Sequence, residues 1–456
     1  MKFKFKLGMQ EHGKRQGLSQ TQYIAFGFFL LIMTGTFLLM LPISSKSGKG
    51  MDFLGALFTA TSASCVTGLV VADTWTQWSL FGQLVIITMI QIGGLGFITI
   101  GVFLSILLRR RIGLRQRGLM QESTSALQIG GIVRLTKKII LGTAIFEGTG
   151  ALLLAIRFIP QYGFFRGVFY SVFHSISAFC NAGFDLMGHQ QPYNSLSAYY
   201  DDWLVNLVVM SLIIIGGIGF IVWDDLSKNK LQVHKYLLQT KIVLLVTAFL
   251  VFGGGAAFYF LEKDGLMADM SISGKILTSL FSSVTARTAG FNTIDTGALS
   301  DGSKFLTIIL MFIGGSPGST AGGVKTTTIA VLLLYVYASI QRTYGVNILG
   351  RRLEEDVIKQ ASSVFVINLF LALFVSLVIM AIQPLSMSDT LFETFSAIGT
   401  AGMTTGVTRD LLPLSKFLVA LLMYCGRIGS MSFALAFTQQ KRTIRVQNPV
   451  EKINVG

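Results

Sequence analysis

The sequence is poor in charge, cysteine and histidine, and each shortage excludes a class of protein. Only 13% of the 456 residues are charged, whereas soluble proteins carry about 25%. Three cysteines, an odd number, give no disulfide framework, and four scattered histidines indicate no metal cluster. With 52% hydrophobic residues and a mean hydropathy of +0.64, the chain is predicted to lie mostly in lipid.

Acidic residues are also scarce, with 22 against 37 Lys and Arg, which leaves a net charge of +15. Such an excess can indicate a nucleic-acid partner, but the basic residues concentrate in alternate loops and tails. These segments are 1–20, 109–138, 224–241, 342–359 and 438–456. Cytoplasmic loops of membrane proteins are enriched in Lys and Arg, so we expect both termini to be cytoplasmic and no nucleic acid to bind.

A short semi-polar segment that ends on a glycine occurs four times, each time ahead of an apolar run. The copies lie at 58–68, 173–183, 280–290 and 392–402, about 110 residues apart, a period typical of a duplicated membrane module. Each copy is too short and too polar to cross a bilayer, which takes about 20 apolar residues. Re-entrant backbone is tolerated in a membrane only where it is buried in protein or lines a water-filled cavity. The repeat therefore predicts one pore lined by four equivalent loops.

The residues just before each of these glycines are expected to form a cation filter. Their side chains differ, so the shared feature is the backbone carbonyl, which can replace the hydration shell of a cation. Glycine permits the positive φ that lets neighbouring carbonyls aim at one axis, although a helix-ending glycine would explain any single copy. The predicted potassium-binding residues are Val66, Thr67, Gly68, Asn181, Ala182, Gly183, Thr288, Ala289, Gly290, Thr400, Ala401 and Gly402.

The apolar runs after the filter segments repeat as well, and the third copy differs from the others. The other repeats are expected to continue as apolar helix, but glycines and Pro317 interrupt the third between 314 and 326. We expect a gate loop there, beneath the filter. A phosphate-binding loop is disfavoured because the glycine spacing fails and no strand precedes it. The predicted gate residues are Gly314, Gly315, Ser316, Pro317, Gly318, Ser319, Thr320, Ala321, Gly322, Gly323, Lys325 and Arg427.

Two arginines near these motifs carry separate expectations. Arg427 lies in the middle of an apolar run, where a charge is costly and usually functional. It either holds the gate loop closed and repels cations, or only holds helices together through their backbone carbonyls. Arg287 lies three residues before Gly290 and must point behind the filter, since an exposed cation there would repel the transported ion. Glu393 is the predicted partner of Arg287 in a structural ion pair.

These patterns predict an all-α integral membrane protein with four M1–pore-helix–M2 repeats around one central pore. The arrangement has eight transmembrane helices and four re-entrant pore helices. Its predicted boundaries are a cytoplasmic tail at 1–20, repeats at 21–125, 126–232, 233–345 and 346–440, and a second tail at 441–456. The lipid bilayer is the surrounding partner, and no covalently bound cofactor is expected.

The chain resembles the Ktr/Trk/HKT superfamily over essentially all of 20–440. The motifs that carry the resemblance are QIGGLGF at 91–97, GGIGF at 216–220, TARTAGFN at 285–292 and GRIG at 426–429. Within that superfamily it is similar to the membrane subunit of bacterial Ktr-type potassium uptake systems. The resemblance implies a gate loop in the third repeat and a gating arginine in the fourth, which correspond to 314–326 and Arg427.

The resemblance also implies a homodimer in the bacterial plasma membrane and a separate cytosolic ring of nucleotide-binding RCK subunits as regulator. It implies potassium uptake that is often sodium-dependent, with sodium as an activator. Plant-type relatives that prefer sodium carry serine at the first filter position, so Gly68 favours potassium.

Other functions stay open at this point. A sodium-coupled or sodium-permeable symporter of the same superfamily is the main alternative. Proton coupling is disfavoured because no row of acidic residues faces a pore, and the lone Glu147 is either a proton relay or paired with a polar neighbour. An enzyme is disfavoured because the sequence shows no nucleophile, acid–base pair or metal cluster near one interface.

Overall fold

The computed structural model describes residues 19–108, 113, 117–121, 131–189, 191–343, 345–429 and 451. Across these residues the chain is built from α-helices, with one two-stranded hairpin of Asn347–Ile348 and Arg351–Arg352. The predicted tails at 1–20 and 441–456, and with them the sidedness of both termini, lie almost entirely outside the described residues.

The helices follow the predicted fourfold order of a long helix, a short pore helix and a second helix. Repeat 1 contains α1 (Gln20–Met40), pore helix α2 (Phe53–Ser64), the short α3 (Thr74–Gln77), α4 (Leu80–Leu95) and α5 (Phe97–Leu107). Repeat 2 contains α6 (Ile132–Tyr162), pore helix α7 (Phe164–Phe179), α8 (Trp203–Gly217) and α9 (Phe220–Asn229). Repeat 3 contains α10 (Leu238–Glu262), pore helix α11 (Ile272–Thr285), α12 (Asp301–Phe312) and α13 (Thr326–Ile340). Repeat 4 contains α14 (Glu355–Ile382), pore helix α15 (Met387–Gly399) and α16 (Pro413–Ile428).

The starts of the pore helices are set by local sequence. Ser271 and Ser386 cap α11 and α15, and Asp52 caps α2, each by accepting a hydrogen bond from a backbone N–H of the first turn. Such caps satisfy helix donors that would otherwise be unpaired. Pore helix α7 instead follows directly on α6 through Gly163 at φ +78°. The caps fix where three of the four re-entrant segments begin, and the turn at Gly163 fixes the start of the other.

The pore helices form the centre of the molecule and the long helices surround them. Phe58, Phe173, Phe281 and Phe392, at related positions in the four pore helices, are all essentially inaccessible to solvent. The helices α1, α6, α10 and α14 are long and apolar enough to cross a membrane, and they carry many exposed large apolar side chains. An apolar outer surface of this kind suits helices that face lipid.

The expectation of continuous second helices in the other repeats is wrong. The chain turns by 93° between α4 and α5 and by 97° between α8 and α9. Each turn lies at a glycine with positive φ, Gly96 at +81° and Gly219 at +98°, and Gly429 at +92° ends α16. A left-handed glycine redirects a helix without a Cβ clash, so one residue is enough to break these spans.

Candidate functional site

The four predicted filter glycines lie together in one ring. A Cβ added to Gly68 would lie 2.7 Å from the carbonyl oxygen of Ala182, and one added to Gly183 would lie 2.5 Å from that of Ala289. At Gly290 the Cβ would lie 3.0 Å from the carbonyl oxygen of Ala401, and at Gly402 it would overlap that of Thr67. Each glycine therefore touches the loop of the next repeat, in the order 1, 2, 3, 4 and back to 1.

The same backbone strain occurs in all four loops. The residue two positions before each glycine has a left-handed conformation, with φ +50° at Val66, +58° at Asn181, +77° at Thr288 and +50° at Thr400. This conformation costs a non-glycine residue about 1–2 kcal/mol. Strain persists only where the surroundings impose it, and it is concentrated at functional sites. Because the same strained position occurs in all four loops, the loops are four copies of one structural element.

Hydrogen bonds from each loop back to its pore helix hold this shape. The N–H of Thr67 donates to the carbonyl of Ser62 over 2.8 Å, and Ala182 and Ala401 make the same 2.8 Å bond to the residue five positions earlier. In repeat 3 the N–H of Ala289 donates instead to Thr285, four positions earlier. The loops of repeats 1, 2 and 4 are therefore alike in this bond, and the loop of repeat 3 differs from them already at the ring.

Hydroxyl groups of the pore helices brace the loops as well, which sequence reasoning missed. The N–H of Gly68 donates to Ser62 Oγ over 3.1 Å. In repeats 2 and 3, Ser177 Oγ and Thr285 Oγ1 donate to carbonyls just beyond the glycine, over 2.7 and 2.6 Å. The recurrence of Ser or Thr five or six residues before each filter glycine is the signal that could have found them.

In each repeat a glycine lies near the end of the apolar run that follows the filter segment, and in three repeats this glycine is needed for helix packing. A Cβ at Gly93, Gly216 or Gly426 would overlap a backbone carbonyl at the end of the pore helix of the same repeat. The second helix can therefore approach the pore helix only because these residues lack side chains. Gly314 contacts Gly322 within its own loop instead, so repeat 3 again differs.

The 314–326 loop lies against the inner ends of the pore helices, where it was predicted to lie. Thr320 Oγ1 donates to the carbonyl of Phe179, the last residue of α7, over 3.1 Å. The backbone N–H groups of Ser316 and Thr320 donate to carbonyls at the end of α8, over 2.9 and 3.2 Å. A Cβ at Gly322 would overlap the side chain of Thr400. The loop therefore touches two of the four ring segments.

Arg427 binds this loop and a neighbouring helix at once. Its guanidinium donates to the carbonyl of Thr320 in the loop, and to the carbonyls of Gly93 and Gly94 in α4 over 2.5 and 2.9 Å. Both contacts considered for Arg427 are thus present, since it joins the loop to repeat 1 through backbone carbonyls. Lys325 Nζ donates to two further loop carbonyls, those of Ala321 over 2.8 Å and Gly322 over 3.2 Å.

The predicted ion pair between Arg287 and Glu393 is not formed. Both residues are described and buried, yet the carboxylate of Glu393 accepts hydrogen bonds from the hydroxyls of Thr404 and Thr408 instead. Arg287 Nε is buried without a hydrogen-bond partner. The outer loop after the fourth filter folds back over Glu393 and supplies hydroxyl donors, which the repeat pattern alone does not reveal.

Glu147 has a polar neighbour, as one of its two interpretations required. Gln91 Nε2 in α4 donates to Glu147 Oε2 over 3.2 Å, and Ser175 Oγ donates to the Glu147 carbonyl over 2.6 Å. The first bond joins repeats 1 and 2, and the second ties α6 to pore helix α7 within repeat 2.

A cavity of about 420 Å³ lies over the ring and is lined by all four glycines. Its wall carries three carboxylates, Asp73, Asp185 and Asp295, against one basic side chain, Arg409. This charge balance favours cations over anions at the mouth of the ring. No group of three or more His, Cys, Asp or Glu suited to hold a metal ion occurs within the described part of the chain.

The outer loop of repeat 2, at Tyr193 and Ser195, contacts the outer loops of the other three repeats above the ring. The backbone N–H of Tyr193 donates to Asp73 Oδ2 of repeat 1 over 3.0 Å. Ser195 Oγ accepts from the N–H of Asn292 of repeat 3 over 3.1 Å. The guanidinium of Arg409 of repeat 4 lies 4.2 Å from the centre of the Tyr193 ring. The cavity is thus fixed by contacts among all four repeats.

Comparisons with known proteins agree with this architecture. Residues 7–445 match the TrkH family, described as cation transport protein. The chain is 41% identical to Ktr system potassium uptake protein B of Bacillus subtilis, over 92% of this chain and 94% of that protein. It is 38% identical to potassium/sodium uptake protein NtpJ of Enterococcus hirae, over 97% of this chain and 98% of that protein.

Among solved structures, the crystal structure of the potassium transporter TrkH from Vibrio parahaemolyticus has the same fold. The TM-score is 0.74 at 18% identity, and the match covers 94% of this chain and 87% of that one. The family match spans nearly the whole chain and includes all four repeats. This chain therefore belongs to the TrkH family of cation transport proteins and is a membrane subunit of the Ktr/Trk/HKT superfamily.

Proposed function

We propose that this chain takes potassium into the cell through the four-glycine ring. The observation that carries the proposal is the closed ring of Gly68, Gly183, Gly290 and Gly402, each in contact with the loop of the next repeat. Backbone carbonyls arranged in rings can replace the hydration shell of a cation. The carbonyls beside this ring belong to the residues proposed as the filter, and glycine at all four positions supports potassium over sodium.

The 314–326 loop is the proposed gate, and it is called the gate loop from here on. It contacts the inner ends of two ring segments, and Arg427 binds it to repeat 1. A buried cation beside the path also repels a permeating cation. The gate would open when the loop leaves these contacts, because they are the bonds that hold it beneath the ring.

Sodium has two candidate roles. The similarity to a relative named potassium/sodium uptake protein supports sodium as an activator of potassium uptake. The same observation favours the second candidate function, a sodium-coupled or sodium-permeable transporter. In neither case is a covalently bound cofactor or an enzymatic reaction proposed.

The working unit is proposed to be a homodimer in a bacterial plasma membrane, with both termini cytoplasmic and an RCK-type nucleotide-binding ring as its cytosolic regulator. The similarity to proteins named as parts of a Ktr system supports this. Arg117, Arg134 and Lys137 line a surface cavity of about 370 Å³ on the side expected to be cytoplasmic. This basic surface suits an acidic partner. A monomeric mass in light scattering would contradict the dimer.

Ion flux in proteoliposomes tests the proposal directly. Potassium and sodium flux should be compared in the wild type, in Gly290→Ser, and in Gly101→Ser as the matched control. Gly101 has no atoms within 4 Å of an added Cβ, whereas the Cβ at Gly290 lies 3.0 Å from a ring carbonyl and φ there is +81°. We expect selective potassium flux that only Gly290→Ser degrades. Equal sodium and potassium flux in the wild type would contradict the proposal and favour the second candidate.

A further inference from the structure

Three consecutive carbonyls of the gate loop are each bound by a cationic side chain. Arg427 donates to the carbonyl of Thr320, and Lys325 Nζ donates to those of Ala321 and Gly322, over 2.8 and 3.2 Å. Thr320 and Ala321 are buried. The chain thus uses two positive charges to satisfy three adjacent acceptors directly below the ring.

The Lys325 ammonium takes the place that a free cation could take. An ammonium group and a potassium ion carry the same charge, are similar in size, and both bind carbonyl oxygens. Unlike Arg427, Lys325 makes no hydrogen bond to another repeat among the described residues, because both of its bonds return to its own loop. A side chain that only tied the loop to the protein would be expected to reach a neighbouring repeat.

The carbonyl set is held in place independently of Lys325. The neck of the loop is closed by a bond from the Gly314 N–H to the Val324 carbonyl over 2.8 Å, and by one from Thr326 N–H to Gly315 over 3.1 Å. The hydroxyls of Ser316 and Thr326 lie 3.0 Å apart and link the two ends again. Withdrawal of a flexible lysine would therefore leave the loop shaped and the carbonyls without donors, which is costly for buried acceptors.

We propose that the carbonyls of Ala321 and Gly322, with that of Thr320, form a binding site for a dehydrated monovalent cation, which the tethered ammonium of Lys325 occupies in this closed arrangement. The inference rests on the proposed function, since it needs a cation path through the ring. The set lies beside the filter, because Gly322 contacts Thr400 and Thr320 contacts Phe179. An ion leaving the ring would compete with Lys325 for these oxygens, so occupancy of the site and release of the lysine are coupled.

Thallium, whose anomalous scattering marks potassium sites, provides the test. Structures of the full chain in thallium salt should be compared for the wild type, Lys325→Met and Lys325→Arg. We expect ring peaks in all three and an additional peak within bonding distance of the Ala321 and Gly322 carbonyls in Lys325→Met alone. Ring peaks without the additional peak in Lys325→Met would overturn the site and leave the proposed function standing. Absence of peaks at the ring and the loop in every variant would overturn both.

A binding measurement keeps the inference testable if Lys325→Met does not yield a structure. The melting temperature of purified Lys325→Gln should rise more steeply with rubidium concentration than that of the wild type, because a site freed of its ammonium binds the added ion in the folded state. Lys325→Arg should follow the wild type. An equal slope for Lys325→Gln and the wild type would overturn the proposal.

Discussion

The ring of glycines is formed by four equivalent segments, whereas the layer beneath it is formed by segments that are not equivalent. At the ring the four repeats share one backbone pattern, a left-handed residue and a glycine at the same spacing in every copy, and repeat 3 differs only in one hydrogen bond of its loop. Beneath it the repeats fall into three different arrangements. Repeats 1 and 2 bend at a single glycine, repeat 3 inserts the gate loop, and repeat 4 supplies Arg427. A pore with equivalent walls needs repetition, whereas a movable closure needs one repeat to depart from it.

The largest effect is expected from a substitution that breaks the equivalence of the ring. In Gly402→Ala the new Cβ would overlap the carbonyl oxygen of Thr67, and alanine is strained at φ +80°. Because the contact is with the backbone of another repeat, it cannot be relieved by turning a side chain. We expect potassium flux to fall by at least about tenfold, which corresponds to roughly 1.4 kcal/mol, in a flux assay on proteoliposomes.

Gly148→Ala is the matched control for this substitution. Gly148 lies in α6, and an added Cβ there has no neighbour within 4 Å. It should keep wild-type flux. Unchanged potassium flux in folded Gly402→Ala would show that the ring does not set the conduction path.

The next largest effect should come from the layer beneath the ring and have the opposite sign. Arg427→Gln removes the charge and, because a glutamine amide has only two N–H donors, at least one of the three carbonyl contacts that join Thr320 to Gly93 and Gly94. We expect potassium flux without any regulator to rise about tenfold, since losing contacts of this kind costs a few kcal/mol. The exposed Arg134, as Arg134→Gln, provides the control. A fall in flux with normal folding would identify Arg427 as part of the conducting path rather than of the closure.

A pair of glycines tests whether the gate loop depends on the bend beside it. Gly96→Ala and Gly219→Ala both place alanine at positive φ, which costs about 1–2 kcal/mol. Only at Gly219 does the added Cβ approach the loop, 2.6 Å from the carbonyl oxygen of Pro317, whereas Gly96 has no neighbour within 4 Å.

Gly96→Ala should therefore lower the free energy of unfolding through backbone strain alone, and Gly219→Ala at least as much because of its added contact with Pro317. Only Gly219→Ala should raise unregulated flux, by about threefold. Denaturant unfolding and the flux assay measure the two effects separately. Equal flux in the two variants would mean that the loop is insensitive to the second repeat.

The same contrast explains which parts of the site could be predicted from sequence. The ring was predictable because the same semi-polar segment ending on a glycine occurs four times in the sequence. That recurrence distinguishes Gly68 and its equivalents from ordinary helix-ending glycines. The bends at Gly96 and Gly219 were not, because a single glycine in an apolar run is equally suited to close helix packing. The true partners of Glu393, Thr404 and Thr408, lie in a loop that only the folded chain brings back over the pore helix.

The smallest expected effect lies above the ring, in the acidic cavity. Burial raises the pKa of Asp185 to about 7, and the nearby charge of Asp73 adds to the shift. Asp185 is therefore ionised at pH 8 and largely neutral at pH 6, so acidification of the outer solution removes one negative charge from the mouth of the ring.

Because physiological salt screens charges from one another beyond about 8 Å, the effect is best measured at low ionic strength, where we expect potassium flux to fall by about twofold between external pH 8 and 6. Asp185→Asn should abolish this step and keep at both pH values the flux that the wild type shows at pH 6. Asp295→Asn, which removes a different carboxylate from the same cavity, should lower flux but retain the step. If Asp185→Asn kept the full pH dependence, another group would be the one that titrates, and the outer cavity would supply attraction through Asp73 and Asp295 without sensing pH at this position.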